Sequence, residues 1–194
     1  VADDDAGYET IFDGKTLKGW EGDPKYWRVD NGAMVGEITP ETVIRTNTFI
    51  IWRGGAPADF ELKTEYRISA RGNSGINYRS VEVSGVPLAM RGYQADIDGQ
   101  NRNANGVRYT GQNYEERGRT FLALRGQVAR IEEGKKPVVI GTVGDSKELA
   151  SFINGYNPGG FDFLYISNPD LQLNDWPTSR KNTPPHYGSG FLFL

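Results

Sequence analysis

The sequence predicts an all-β protein built as a sandwich of antiparallel sheets, and three observations carry that expectation. Apolar and polar residues alternate with a period of two along several stretches, as they do on a strand with one face buried. Turn signals rich in Gly, Asn, Asp and Pro recur along the chain, with 25 glycines among 194 residues. A single stretch, Ser146 to Ile153, reads as a helix: Asp145 is its N-cap and Glu148 stands three residues on, the capping-box pattern.

Each element has its own local reason. Tyr8 to Trp20 holds a short apolar strand at Ile11-Phe12, an Asp13-Gly14 turn and the aromatic anchor Trp20. Trp27 to Gly36 is a hairpin whose Asp30-Asn31-Gly32 turn sits between two alternating arms. Thr46 to Trp52 follows as a strand, and Ala56 to Asp59 as a loop. Phe60 to Ile68 alternates over its whole length, with Glu61, Lys63, Glu65 and Arg67 on its polar face. Gly72 to Gly75 is a tight turn feeding a strand that runs to Arg79, and Gly92 to Gly99 is a strand ending on a turn signal. Tyr114 to Arg119 is a dense charge cluster, which composition reads as a solvated turn, and it leads into Thr120 to Arg125. Gln127 to Ile131 and Pro137 to Val143 are the arms of a further hairpin. Beyond Asn154 the chain is rich in Pro, Gly and Asn, with strands expected at Phe161 to Ile166 and Gly190 to Leu194. The length suits one sizeable core, so residues 1–194 are expected to form a single domain with residues 1–7 disordered.

Composition narrows the chemistry. With no cysteine there is no disulfide, no thiolate catalysis and no cysteine-based metal site. His186 is the one histidine and belongs to a Pro-rich tail, so acid and base work falls to carboxylates, Tyr or Lys. A net charge of -3 and a pI near 5.3 argue against a nucleic-acid surface and favour neutral polyols over polyanions. No run of about 18 apolar residues offers a membrane span. Val1 to Gly7 carries three consecutive aspartates and no apolar run, so no signal peptide is expected there.

The chemically richest stretch is Gly92-Tyr93-Gln94-Ala95-Asp96-Ile97-Asp98-Gly99. As a strand it sends Tyr93, Ala95 and Ile97 one way and lines up Gln94, Asp96 and Asp98 on the other face. Asn77 and Arg79 share a face of the preceding strand, and Arg79 is able to meet the carboxylates if the two strands are neighbours. An alternating polar row is equally what a solvated sheet face looks like. Two acids, an amide and a guanidinium nonetheless suit sugar hydroxyls. Glu65 fits either solvent or a place beside Arg79 and Asp96.

Several stretches in order resemble one family, the bacterial 3-keto-disaccharide hydrolase domain. They are Ile11 to Trp20, Trp27-Arg28-Val29 with Asn31 to Gly36, Asp59 to Leu62 with Glu65-Tyr66-Arg67, Gly72 to Ile76 with Tyr78-Arg79, Gly92 to Ile97, and Tyr114 to Arg119. The likeness covers about residues 8–153. The last quarter departs, with Phe152-Ile153-Asn154-Gly155 alone matching the family's later hairpin. The resemblance implies a concanavalin A-like sandwich, or jelly roll, of two curved antiparallel sheets that holds a sugar on its concave face. It also implies an exported bacterial protein, secreted or periplasmic, acting on glycosides oxidised at carbon 3, with a small carbohydrate as partner and no cofactor.

A ketone at carbon 3 acidifies the hydrogen at carbon 2, so a carboxylate is able to abstract it and the glycosidic oxygen then leaves by elimination. Asp96 or Asp98 is the candidate base, Arg79 or Arg119 the candidate enolate stabiliser, and Glu116 or Glu65 the candidate acid, with Asn77, Gln94 and Tyr114 holding the sugar. Two other readings compete. One is conventional hydrolysis by a carboxylate pair. Residues two apart on a strand lie about 6.6–6.8 Å apart, between the spacings of retaining and inverting enzymes, and neither acid lies in an obviously apolar stretch. The other is a non-catalytic binding module, with Trp20, Trp27, Trp52 and Trp176 as candidate stacking residues, although a Trp beside a turn is commonly a core plug. Asp96, Asp98 and loop carbonyls are hard oxygen ligands of the kind calcium takes, but no motif spacing supports such a site.

Overall fold

Strand pairing begins at the turns. The computed structural model describes residues 7–69, 72–99, 109–124, 126–132 and 134–143, together with the backbone of 162–168. Its strands are β1 (Trp20–Gly22), β2 (Trp27–Asp30), β3 (Ala33–Gly36), β4 (Ile50–Trp52), β5 (Phe60–Tyr66), β6 (Asn73–Glu82), β7 (Met90–Asp98), β8 (Asn113–Glu116), β9 (Thr120–Ala123), β10 (Gln127–Arg130), β11 (Val138–Thr142) and β12 (Asp162–Asn168). The β2–β3 hairpin closes on Asn31 and Gly32, both with positive φ, as a two-residue turn of matching twist requires. The expected helix at 146–153, the N-terminal residues 1–6, the strand at 190–194, Trp176 and His186 all lie outside the described residues.

Every pairing among the described strands is antiparallel. A four-stranded sheet runs β6-β7-β8-β9, and the pairs β1-β4, β2-β3, β5-β12 and β10-β11 complete the sandwich. Ile76 and Ile97 turn one face of the large sheet into the core, where they join Leu62 and Tyr66 of β5, Ile68, and Phe49, Ile50 and Ile51 around β4. Burying each such side chain contributes about 1.5–3 kcal/mol. Trp20 and Trp27 are part of this core, and Trp52 packs against it. Trp20 also donates from Nε1 to the Ile11 carbonyl at 2.7 Å. Trp20 and Trp27 are therefore plugs rather than sugar platforms.

Two sequence expectations change. Ile11-Phe12 is a loop, because the Asp13 carboxylate captures the amides of Lys15 and Thr16 at 2.7 Å each and bends the chain there. Tyr114 to Arg119 is not a solvated turn: its first half belongs to β8, and Glu116 is only 7% exposed. Its charges are matched internally. Arg119 grips Glu115 through Nε at 2.5 Å and Nη2 at 2.9 Å, and the same guanidinium donates to the carbonyls of Glu132 and Lys135 below the β10–β11 hairpin.

Gly36 faces Trp27 across the β2–β3 ladder, where an added methyl would come within 2.6 Å of the indole. The ring is buried in the core and has little room to retreat. Gly36→Ala is expected to destabilise the fold by about 1–3 kcal/mol, seen as a lower urea midpoint at unchanged slope. An unchanged midpoint would show that the ring is free to shift.

Candidate active site

Alternation along β7 and the register of its neighbours gather one set of polar side chains. Gln94, Asp96 and Asp98 share a face of β7, with Asn77 opposite Gln94 and Gly75 opposite Asp96 on β6. On the other side Tyr114 stands opposite Gln94, and Glu116 opposite Gly92. Six predicted site residues, Asn77, Gln94, Asp96, Asp98, Tyr114 and Glu116, thus lie on one sheet face. Burial decides against a solvated face: Asn77, Gln94, Asp98 and Glu116 are each less than a tenth exposed.

Gly75 gives this face its shape. A Cβ there would sit 2.5 Å from Gln94 Cγ, so the Gln94 side chain lies in the space that a missing side chain leaves. From there Gln94 Nε2 donates to Asp96 Oδ1 at 2.6 Å. Burial pushes the Asp96 carboxyl up from the ordinary 3.8 to about 6. The Gln94 hydrogen bond works against that rise, and the neighbouring charges of Asp98 and Glu116 add to it. The desolvation not visible around either acid in the sequence is therefore present for Asp96. The Asp98 backbone is tied to Thr110, whose hydroxyl oxygen accepts from the Asp98 amide at 2.9 Å and donates to its carbonyl at 3.1 Å. Glu116 receives Asn47 Nδ2 at 3.3 Å, and the Arg117 guanidinium stands 3.8 Å away. Neither Nδ2 nor Oδ1 of Asn77 has a hydrogen-bond partner among the described residues.

Tyr114 brings aromatic neighbours that the sequence did not single out. Phe121 of β9 meets Tyr114 edge-on at 5.3 Å and stacks on Tyr109 at 5.4 Å. The pairing of β8 with β9 creates this group, and alternation within either strand alone gives no sign of it. Burial and the charges of Glu116 and Asp96 raise the Tyr114 phenol above its ordinary value, which keeps it protonated as a donor. An open depression of about 290 Å³, lined in part by Phe121, Arg119, Leu124 and Val139, adjoins this group but does not reach Asp96.

Three expected site residues are placed elsewhere. A bulge between Tyr78 and Val81 shifts the β6 register, Arg79 takes φ 47, and its guanidinium donates to Asp59 at 3.0 Å. Arg119 bonds Glu115, which stands opposite Tyr93 on the other face of β7–β8 from Asp96. Glu65 is exposed on β5, whose alternate residues Leu62 and Tyr66 face the core. Among the described residues no cluster of three His, Asp or Glu side chains is arranged to hold a metal ion.

Residues 7–159 match the family described as 3-keto-alpha-glucoside-1,2-lyase-like domains. The chain belongs to that family. Its sandwich is the concanavalin A-like architecture of that domain. A curated relative from Bacteroides thetaiotaomicron, named 3-keto-disaccharide hydrolase, is 36% identical over 85 residues, which cover 40% of this chain and 29% of the relative. The match thus spans under a third of that protein's length.

The raised Asp96 pKa makes a signed prediction for stability. The folded protein holds this proton more tightly than the unfolded chain, so the contribution is full below the unfolded value near 3.8 and is lost as pH rises through about 6. At neutral pH this partly buried charge costs on the order of 2–3 kcal/mol. Asp96→Asn is expected to be more stable than the parent at pH 8, with the difference closing toward pH 4 in urea titrations. An equal difference at both pH values would refute the burial of this charge.

Proposed function

We propose that this chain cleaves glycosides oxidised at carbon 3, with Asp96 as the base that removes the proton at carbon 2. The observation that carries the reading is a partly buried carboxylate of raised pKa on a face otherwise lined by amides, a phenol and further acids, in a chain of this family. Desolvation makes Asp96 a stronger base than an ordinary carboxylate while leaving most of it ionised at pH 7. Asp96 Oδ2, which has no hydrogen bond among the described residues, is the oxygen that takes the proton. A positioned base is worth roughly 10²–10⁴-fold.

The electron pair from the carbon 2–hydrogen bond passes into the enolate at the carbon 3 oxygen. Since Arg79 and Arg119 bond elsewhere, the protonated Tyr114 phenol is the donor for that oxygen, a contribution of roughly 10²–10³-fold. The enolate then collapses: a carbon 1–carbon 2 double bond forms as the carbon 1–oxygen bond breaks, and Glu116 protonates the leaving oxygen. Water adding across the double bond completes a net hydrolysis. Elimination followed by hydration reconciles a family described as lyase-like with a relative named a hydrolase. Tyr109, Phe121 and Tyr114 offer the apolar face of the sugar a platform. The relative's name supports a disaccharide as the substrate class.

A second reading, direct hydrolysis of unoxidised glycosides, draws on the same observation, because a carboxyl with a pKa near 6 also serves as a general acid. Proton NMR in deuterated water with a 3-keto-glucoside, and separately with its unoxidised parent, separates the two. Loss of the carbon 2 hydrogen together with aglycone release from the keto sugar alone is the expected result. Cleavage of the parent would replace elimination with carboxylate-pair hydrolysis, and binding without turnover of either sugar would leave a carbohydrate-binding module. Under elimination, the acid limb of kcat/KM rises with pH through about 6 as Asp96 ionises, and Asp96→Asn lowers kcat/KM by roughly 10²–10⁴-fold.

A further inference from the structure

Asn77 is fully buried and its amide is unbonded at both ends among the described residues, an arrangement that costs about 1–3 kcal/mol. Its direct cross-strand partner is Gln94, close enough for an Asn–Gln amide pair to form. Gln94 does not make that pair. Its side chain lies in the room left by Gly75 and gives its amide to the Asp96 carboxylate. One amide therefore has two prospective partners one row apart on the sheet, and the charged one holds it.

We propose that Gln94 is a two-position amide and Asn77 its second seat: Gln94 bonds Asp96 while the base is ionised and moves onto Asn77 when Asp96 carries a proton. Asn77 is thus a positioning residue that acts on the base through Gln94, an inference that rests on Asp96 being the base. The physical drive is a change in competition. A hydrogen bond to a carboxylate is about twice as strong as one to a neutral acceptor, and protonation removes that advantage. Asn77 offers the same donor and acceptor in both states. Moving there satisfies two buried groups at once, which stabilises the protonated base formed when carbon 2 gives up its hydrogen. The other groups acting on Asp96 are Asp98 on β7 and Tyr114 and Glu116 on β8, with Arg117 beside Glu116.

The test needs no substrate. Carbon-13 NMR of the Asp96 carboxyl gives its titration midpoint in the parent and in variants. Asn77→Leu removes the second seat and is expected to lower the midpoint by about 0.4–1 pH unit. Gly75→Ala crowds Gln94 off Asp96 and is expected to raise it. In a Gln94→Leu background the effect of Asn77→Leu is expected to vanish. An unmoved midpoint in Asn77→Leu, or the same shift with and without Gln94, overturns the proposal. Should Asn77→Leu fail to fold, the parent decides: an NOE between the Gln94 and Asn77 side-chain amides is expected at pH 4 and not at pH 8, and its absence at pH 4 refutes the switch. Asp96→Asn kinetics report separately on the base, so a midpoint that ignores Asn77 beside an inactive Asp96→Asn would sink the switch and leave the proposed reaction standing.

Discussion

Pairing of β6 with β7 is the constraint on which the rest of the molecule depends, because this ladder buries side chains on both of its faces. Ile76 and Ile97 fill the core on one face, while Asn77, Gln94 and Asp98 are buried on the other. A one-residue slip would send carboxylates into the hydrocarbon core and isoleucines onto the polar face, at a cost of many kcal/mol. The register is therefore pinned twice over, once by the hydrophobic effect and once by polar groups that need each other. The same pinning sets Gln94 beside both Asn77 and Asp96.

Among the described residues, three arginines are paired with acids other than Asp96. Arg53 spans Glu21 and Glu82, Arg79 takes Asp59, and Arg119 takes Glu115. The pairs of Arg53 and Arg79 are exposed and individually worth about 0–1 kcal/mol, so their contribution to stability is small. Their placement matters more. A guanidinium against Asp96 would have neutralised it as an ion pair and drawn its pKa down. Burial, with Asp98 and Glu116 as neighbours, instead raises the carboxyl's pKa to about 6.

Much of the fold was legible because its signals are local. Asn31-Gly32 demands a hairpin wherever it occurs, and the alternation in 60–68 and 92–99 announces strands without knowledge of their partners. Six of the nine residues expected at the site share a face because side-chain alternation is a property of the strand itself. The exceptions come from events that alternation does not encode. Arg79 leaves the face at a bulge, which inserts a residue without changing composition. Arg119 follows Glu115 rather than Glu116, a choice between adjacent acids that only the pairing of β8 decides. Phe121 meets Tyr114 through the β8–β9 register, and Ile11-Phe12 loses its strand to an Asp13 side chain that outcompetes the ladder for backbone amides.

The grip of Arg119 on the carbonyls of Glu132 and Lys135 has a bearing on colloidal behaviour. Next to that anchor, Val138, Val139 and Ile140 are each at least half exposed, consecutive and β-branched, the profile of a segment that recruits strands from other molecules. Lys135, Lys136 and Pro137 stand before them as gatekeepers. Holding the hairpin by its turn limits how far this strand swings outward. A guanidinium on the far face of the sheet from Asp96 thus anchors the turn that carries the most aggregation-prone exposed strand among the described residues.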